Sequence, residues 1–580
     1  MLRTPAFLAR HLLSELDAPP ELPFFSALKA KADEGAFTRA TAATVIDFEG
    51  LLKACKSGEM RFQGARRVEN LLRFSQDFSQ PEWVKLGNGA GLAPTVTANF
   101  SVAPDGSQTA SRIQFNSGGM AAADRSEVKQ TFTNTLTKTA VTSIYLKTND
   151  GSTKTITLEG GFSTTVVTPL TVTSAWQRFG VTGGGSVDIR HRFYLAGSDG
   201  STTADILAWG AQLEDVSGQV NVEPSEVVSS DVSVGPLFHG CFVDGVQYFT
   251  YQNDNIIFFD GAVIESQGPA LSEATLNGFL SEGLSTNVVV KSEDFSNAAW
   301  VKTLASITAN NAKAPTGLLT ADLMTASSAN ATCLQAVVSG INTYCFSIWL
   351  KRKTGTGAVD LTLDGGATWT TRTITTSWSR YFITQTSVTN PTVGIRLQVS
   401  GNAVWLGNAQ LEADIDFPTS SIFTNAAAVD RNADRYSISA NDRFLESAGS
   451  LICEVKSNFW TTSMVDRSFI SHFILYAPAL ITNAAVYSYD GLSSATVTNG
   501  GTLETASQKS AVKWGASERK VFKKGVGGLA ATHDGSFGTA GNLTIGNSTS
   551  GLNGLCGTLK NLEIYKTALS DAELITKTLG

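Results

Sequence analysis

The run SIYLK at 143–147 alternates, with Ile144 and Leu146 on one face of an extended chain and Tyr145 on the other, and SIWLK at 347–351 does the same with Ile348 and Leu350 against Trp349. A two-residue period predicts a strand. Large apolar side chains on both faces predict one inside a two-sheet sandwich rather than a sheet with a wet side. Turn punctuation, PDG at 104–106, NDG at 149–151 and DGG at 364–366, separates such runs. Near the end Leu562 and Ile564 alternate with Glu563 and Tyr565, and Ser570 with Glu573 forms a capping box before a final short helix. The beginning differs. Residues 4–18 predict a helix: Thr4 caps it, Pro5 suits its first position, Leu8, Leu12 and Leu16 share a face, and Pro19 and Pro20 stop it. A lone helix of that length is marginal in water, so its leucine stripe is expected to lie against something, its own domain or a larger assembly.

The pattern occurs twice. NLLRFSQDFSQPEWV at 70–84 returns as NVVVKSEDFSNAAWV at 287–301, so Asn70, Phe78 and Trp83 reappear as Asn287, Phe295 and Trp300. The SIYLK and SIWLK strands follow, then Trp176 with Arg178 against Trp378 with Arg380, and each copy ends on AQLE, at 211–214 and 409–412. Four landmarks kept in order at a period of about 200 residues mean a duplicated module. Between the copies, Phe238, Phe242, Tyr248, Phe249, Ile256, Phe258 and Phe259 make 226–285 too apolar for a free linker.

Composition agrees with a strand-rich chain. Charged residues are 16% of 580, and 53 glycines accompany abundant Ser, Thr and Asn, which favours short strands and tight turns. The length calls for several cores. A net charge of -7 argues against nucleic acid, which needs clustered Lys and Arg. The apolar run after Met1 is broken at once by Arg3, Arg10, His11 and Glu15, so no leader peptide is expected, and no apolar run reaches the ~20 residues that cross a bilayer. Six cysteines, at 55, 241, 333, 345, 453 and 556, form no CxxC pair and have no histidine set for a metal; free thiols are expected, although Cys333 and Cys345 could face each other across a hairpin.

Catalysis should leave a constellation of groups. The histidines at 11, 191, 239, 472 and 533 have no metal-like spacing, and neither a GxSxG elbow nor an HExxH pair is present. The repeated acidic spot, Glu293 with Asp294, corresponds to Gln76 with Asp77 in the first copy, which favours a turn role over sugar hydrolysis. No enzyme activity, cofactor or metal centre is expected. Glu214 and Glu412, closing the AQLE runs, are the residues weighed for a structural calcium against an ordinary surface strand end. Sugar binding needs aromatic platforms beside hydrogen-bonding groups. Trp369 in GATWTTRT and Trp460 in SNFWTTS are the two tryptophans that repetition does not explain, and each is flanked by Thr or Ser; they are the candidate glycan-binding residues, with a tryptophan tucked against its own sandwich edge as the plain alternative.

The paired modules, with N(L/V)(L/V)…S(E/Q)DF…W at the start and WGAQLE or LGNAQLE at the end, resemble jelly-roll modules of bacteriophage head-spike and tail-fibre proteins, which are themselves similar to carbohydrate-binding jelly rolls. FPTSSIFTNAAAVDRNAD after the second AQLE resembles that family's proline-threonine-serine return and Arg-x-x-Asp ending, whereas VEPSEVVSS departs from it in the first copy. Leu543–Gly546, Ile564, Tyr565 and Leu569–Leu574 resemble the close of a concanavalin A-like, or laminin G-like, sandwich. The resemblance implies a mostly β chain of tandem jelly-roll β-sandwiches with a short N-terminal helical attachment region. Its expected units are an attachment region at 1–68, jelly rolls at 69–225 and 286–436, a structured connector at 226–285, and the concanavalin A-like sandwich at 437–580. It further implies a virion-surface protein, a head spike or tail fibre made in the bacterial cytoplasm. Such a protein would be a homotrimer, attached to other virion proteins through its N-terminal region and adhering to host cell-surface glycans, with no nucleic acid and no membrane insertion. A purely structural decoration or collar protein and a polysaccharide depolymerase are the rival readings.

Overall fold

A computed structural model describes residues 36–133, 137–161, 166–185, 189–232, 243–252, 255–257, 263–265, 277–439, 447–457, 470–471, 479–480, 483–489, 494–498, 507–515, 517–533, 542–547 and 555–579. The chain is mostly β, with one described α-helix at Asp571–Thr578. Ser570 caps that helix and Glu573 returns to the cap backbone, the box expected from the sequence. No described helix is long and apolar enough to cross a membrane. The helix expected at 4–18, and with it the helical attachment region, lies outside the described residues.

Each repeat is a sandwich of two five-stranded antiparallel sheets with the same strand order. In the first, one sheet runs Gln177–Gly185, Lys138–Thr148, Thr203–Asp215, Ala110–Asn116, Leu92–Ser101. It carries the SIYLK and AQLE landmarks and is called the landmark sheet below. The opposite sheet runs Val166–Val172, Lys154–Gly161, Ile189–Ala196, Arg125–Phe132, Val84–Asn88. The second repeat matches strand for strand: Ser379–Val388, Asn342–Thr354, Ala403–Ala413, Ala321–Ala326, Ala305–Ala312 facing Thr370–Thr373, Ala358–Thr362, Thr392–Leu397, Ala331–Ala336, Val301–Thr303.

Alternation does what the pattern implies. Ile144 and Leu146, like Ile348 and Leu350, are buried between the sheets. Tyr145 and Trp349 point away from that core. Phe78 stacks on Trp83 with centroids 4.7 Å apart, and Phe295 on Trp300 at 4.8 Å. Each indole N–H donates to a carbonyl nine residues back, Trp83 to Phe74 at 2.9 Å and Trp300 to Lys291 at 3.0 Å. Phe74 and Lys291 both take left-handed backbone angles, φ 51° and 54°, at those points.

The third core is built from distant pieces of chain. Phe37, Met60 and Phe62 from the lead-in, Tyr248, Phe279 and Leu280 from between the modules, and Leu451, Trp514, Leu559 and Ile564 from the C-terminal part bury together. One of its sheets runs Phe62–Gln63, Gly278–Ser281, Gly557–Tyr565, Gly449–Ser457, Gln508–Trp514, Glu518–Lys523. Another places Ala36–Thr38 beside Arg435–Ser439, which pairs with Asn542–Ile545. Described strands from the units read as 1–68, 226–285 and 437–580 therefore share this core, and the two jelly rolls are inserted between them in the chain. Short hydrophobic strands in the lead-in cannot form a core of their own, so they complete one begun elsewhere.

Cys333 and Cys345 do not face each other across a hairpin. Cys333 sits in the opposite sheet and Cys345 in the landmark sheet of the second module, and all five described cysteines are free and buried. Burial pushes the Cys333 thiol up to about 12 and raises the Cys345 thiol as well, so both stay protonated.

Candidate ligand-binding site

Both modules are closed by the same clasp, and the AQLE residues supply it. Asn287 Nδ2 donates to Ala409 O and Ile422 O, and its Oδ1 accepts from Leu411 N. Asn70 repeats this with Ala211 O, Val228 O and Leu213 N. Gln410 Oε1 accepts from Ile422 N, as Gln212 Oε1 does from Val228 N, both at 2.7 Å. Glu412 takes Thr419 N at 3.0 Å, with the Thr419 and Ser285 hydroxyls, and Glu214 takes Ser225 N at 3.0 Å and Gln212 Nε2 at 2.6 Å. Glu214 and Glu412 are thus neither surface strand ends nor open to a cation: they are 4% and 0% exposed and filled with protein donors. No metal-sized group of acids, histidines and cysteines occurs among the described residues. The VEPSEVVSS return, which departs in sequence, makes the same backbone bonds as the PTSSI return, because the donors it offers are main-chain N–H groups.

The clasp of the second module leans on a buried charge cluster. Arg39 pairs with Asp434 at 2.9 Å, Arg61 with Glu282 at 2.9 Å and also with Asp434, and Arg431 lies 3.5 Å from Glu282; all are at most 3% exposed. Burial alone would raise the Glu282 carboxyl, but Arg431 and Arg61, with hydrogen bonds from Ser420, hold it down to about 2. The Arg-x-x-Asp ending is therefore a junction. It ties the exit of the second module to the lead-in, while Asn547 Nδ2 donates to Asp434 O from the C-terminal sheet at 2.9 Å. A buried pair adds little net stability, yet removing one partner typically costs about 3–5 kcal/mol.

Above this cluster the lead-in hairpin, Ala43–Ile46 with Leu52–Cys55, bridges the two modules. Glu49 accepts from Val220 N and Asn221 N of the first. Leu52 N donates to Pro315 O, and Thr44 Oγ1 to Ser421 O, of the second. The modules also touch directly where Gly218 and Gly317 meet: a Cβ on Gly218 would lie 2.5 Å from the Gly317 Cα, and both sit at positive φ. Between the hairpin and the outer face of the second landmark sheet lies a half-open cavity of about 350 Å³. Val45, Ile46, Leu52, Leu280, Phe382 and Pro418 give it apolar walls, and Trp349, Arg380, Glu282, Gln63, Thr44 and Thr419–Ser421 line the rest. Trp349 and Arg380 are cross-strand partners and so lie side by side. Trp349 Nε1 donates to Ser421 Oγ at 3.2 Å and Arg380 Nη2 to Ser347 Oγ at 2.9 Å, which fixes ring and guanidinium. Burial lowers the Arg380 pKa, opposed by Glu412 and Glu282. An aromatic wall, an apolar floor and a few fixed polar groups suit a small ligand with one apolar face and a polar rim. In the first module the corresponding face is filled by its own Trp209, Val227 and Trp176 around Tyr145.

The residues singled out in the sequence fall elsewhere. Trp369 sits at the end of the turn before Thr370–Thr373, half-buried on its own sandwich. Arg396 lies over its ring at 4.4 Å, and Gly366 packs so close that a Cβ there would meet Cζ2 at 2.7 Å. Arg396 in turn pairs with the buried Asp360, which also accepts from Gln398 and Thr371. Trp460 lies outside the described residues. Asp294 and Asp77 cap their turns, accepting from Asn297 N and Ser79 N. Glu293 does something else: it is half-buried beside Asp322, and burial first, then that carboxylate, push it up to about 7. Asp322 spends its oxygens on Phe295 N and Asn310 N, bracing the loop. Sequence reading missed the cavity because its walls come from stretches far apart in the chain; the one local signal was Trp349 on the outward face of an alternating strand.

No family model matches the chain, and no curated protein matches it significantly. Among solved structures the chain is similar to the N-terminal CBM22-1-CBM22-2 tandem domain of Xyn10C from Paenibacillus barcinonensis, at 11% identity over 60% of this chain and 98% of that one, with a TM-score of 0.23. It is also similar to the CBM22-1 xylan-binding domain of that protein, at 13% identity over 23% and 96%, with a TM-score of 0.17. A third likeness is to domains LG4-5 of the mouse laminin alpha1 chain, at 11% identity over 42% and 90%, with a TM-score of 0.16.

Proposed function

We propose that this chain is a glycan adhesin of a bacteriophage virion, binding rather than cleaving, and that it seats a sugar unit in the cavity between the lead-in hairpin and the second module. The cavity carries the reading. Its volume of about 350 Å³ is at the small end of ligand pockets, and Trp349 and Phe382 offer apolar surface beside Arg380, Gln63 and the Ser–Thr return. The virion setting rests on the sequence resemblance to head-spike and tail-fibre modules, and a homotrimer would present three such cavities. Weak single sites gain about 10²–10⁴ in avidity when linked.

The test is calorimetric titration of the full chain with a panel of bacterial surface oligosaccharides. Trp349→Ala should weaken the best binder at least tenfold, while Trp369→Ala leaves it within twofold. Equal loss from both, or no binder in the panel, would overturn the cavity assignment, and release of reducing ends from any of the sugars would turn the reading to a depolymerase. Gold-labelled antibody on purified particles tests the virion setting, and its absence from particles sinks that part.

A further inference from the structure

We infer that the outer face of the opposite sheet in the first module is a second binding surface, one that takes an acidic polysaccharide segment. The inference rests on the glycan-adhesin reading but not on the cavity. Register places Val84, Lys129, Arg192, Glu159 and Val167 in one row across all five strands, a width of about 19 Å at the usual strand spacing. Arg190 stands one pair along from Arg192 on the same face. The carboxylates lie beneath: Glu127 and Glu159 are 2% and 3% exposed. Arg192 binds both, at 2.5 and 2.8 Å, and Arg190 and Lys129 complete the network at 3.3 and 3.5 Å. The side chains of Arg190 and Lys129 are 36% and 28% exposed. Asp199, at the margin, is held by Ala196 N of its own turn, and Arg125 is drawn aside to Ala122 O and the Tyr194 ring. What solvent meets is therefore cationic, on a chain whose net charge is -7.

The second module serves as an internal control. Its equivalent row is Val301, Leu334, Gly394 and Thr362, without a charge, yet the sheet has the same order and the same clasp. The fold does not need the charges. Three cations over two buried acids leave one unit of positive charge in excess, flanked by Val84 and Val167, which are 42% and 48% exposed. That suits a chain of carboxylate-bearing sugars with apolar ring faces. A nucleic acid would need many more phosphate contacts.

The experiment is interferometry of the full chain against immobilised polygalacturonate, the same polymer after carboxyl reduction, and duplex DNA. Polygalacturonate should bind at least tenfold tighter than either, more weakly at 200 than at 50 mM salt. Lys129→Ala/Arg190→Ala should remove that preference; Arg192 is left to neutralise the buried acids. Arg190→Lys/Lys129→Arg, which keeps the charge, should retain it. Equal affinity for the reduced polymer or for DNA, or a double-alanine variant that binds as before, would overturn the inference. Trp349→Ala separates the two sites: loss of neutral-sugar binding with polygalacturonate binding intact supports both, and failure of either ligand condemns only its own surface.

Discussion

Replacing Glu293 by the glutamine that the first module carries at the same point, Gln76, should stabilise the second module in a pH-dependent way. Glu293 is pushed up to about 7 in the folded chain from 4.5, by burial and by Asp322; burial raises Asp322 as well. The sign follows from which state binds more protons. Below pH 4.5 the acid is protonated in both states and contributes nothing. Between 4.5 and about 7 the unfolded chain releases a proton that the folded chain keeps, so stability falls as pH rises, and above about 7 the penalty is constant. The gap corresponds to about 3 kcal/mol at most, and solvent screening of a half-buried group brings it to about 1–2 kcal/mol. With separate cores in one chain a single melting midpoint is not well defined, so the assay is hydrogen exchange of peptides from 288–425, corrected for the intrinsic pH dependence. Glu293→Gln should slow their exchange roughly 5–30-fold at pH 8 and leave it unchanged at pH 4.5, with peptides from 70–231 unaffected. Faster exchange at pH 8, or the same effect at both pH values, would refute the argument that the carboxylate is destabilised by its site.

His191 should act in the opposite sense in the first module. It is fully buried against Trp83, burial takes it down to about 3, and stability is lost as pH falls from 6.5 towards that value, by about 2 kcal/mol at pH 5; exchange of 189–196 should quicken there, while the second module, with Val393 at that position, should not follow. Glu412→Ala should cost about 2–4 kcal/mol by stranding Thr419 N and two hydroxyls, read as faster exchange over 403–425, and neither chelator nor added calcium should change the wild type. Residues 437–580 expressed without the lead-in should lack a native near-ultraviolet signal from Trp514, because Phe37, Met60, Phe62 and Phe279 are missing from its core; a native-like spectrum would contradict the shared core.

The tandem sandwiches were legible because core periodicity is local: Ile144, Leu146 and their second-module counterparts carry it, and Phe78–Trp83 repeats as Phe295–Trp300. The capping box at Ser570 was legible for the same reason. What the AQLE runs do was not, since Glu214 and Glu412 each bond to a main-chain N–H and to protein side chains, and a carboxylate in text gives no sign of whether its ligands are protein or solvent. The shared third core escaped for a different reason. Short runs such as AFT at 36–38 and FQ at 62–63 have too little period to announce a strand, and their partners lie hundreds of positions away. Trp349 was visible, but only the hairpin above it makes its face a cavity.

That separation imposes an order on biosynthesis. Ser437, beside Ala36 in the finished sheet, is added 401 residues later. At about 5–20 residues per second a ribosome needs roughly 20–80 s to cover that distance, and both jelly rolls are synthesised in the meantime. Phe37, Met60 and Phe62 stay unburied throughout, a sticky patch that holdase chaperones would shield. A message truncated before the last strands therefore yields a chain with two sound modules and an open base, and cellular quality control would find it by that base.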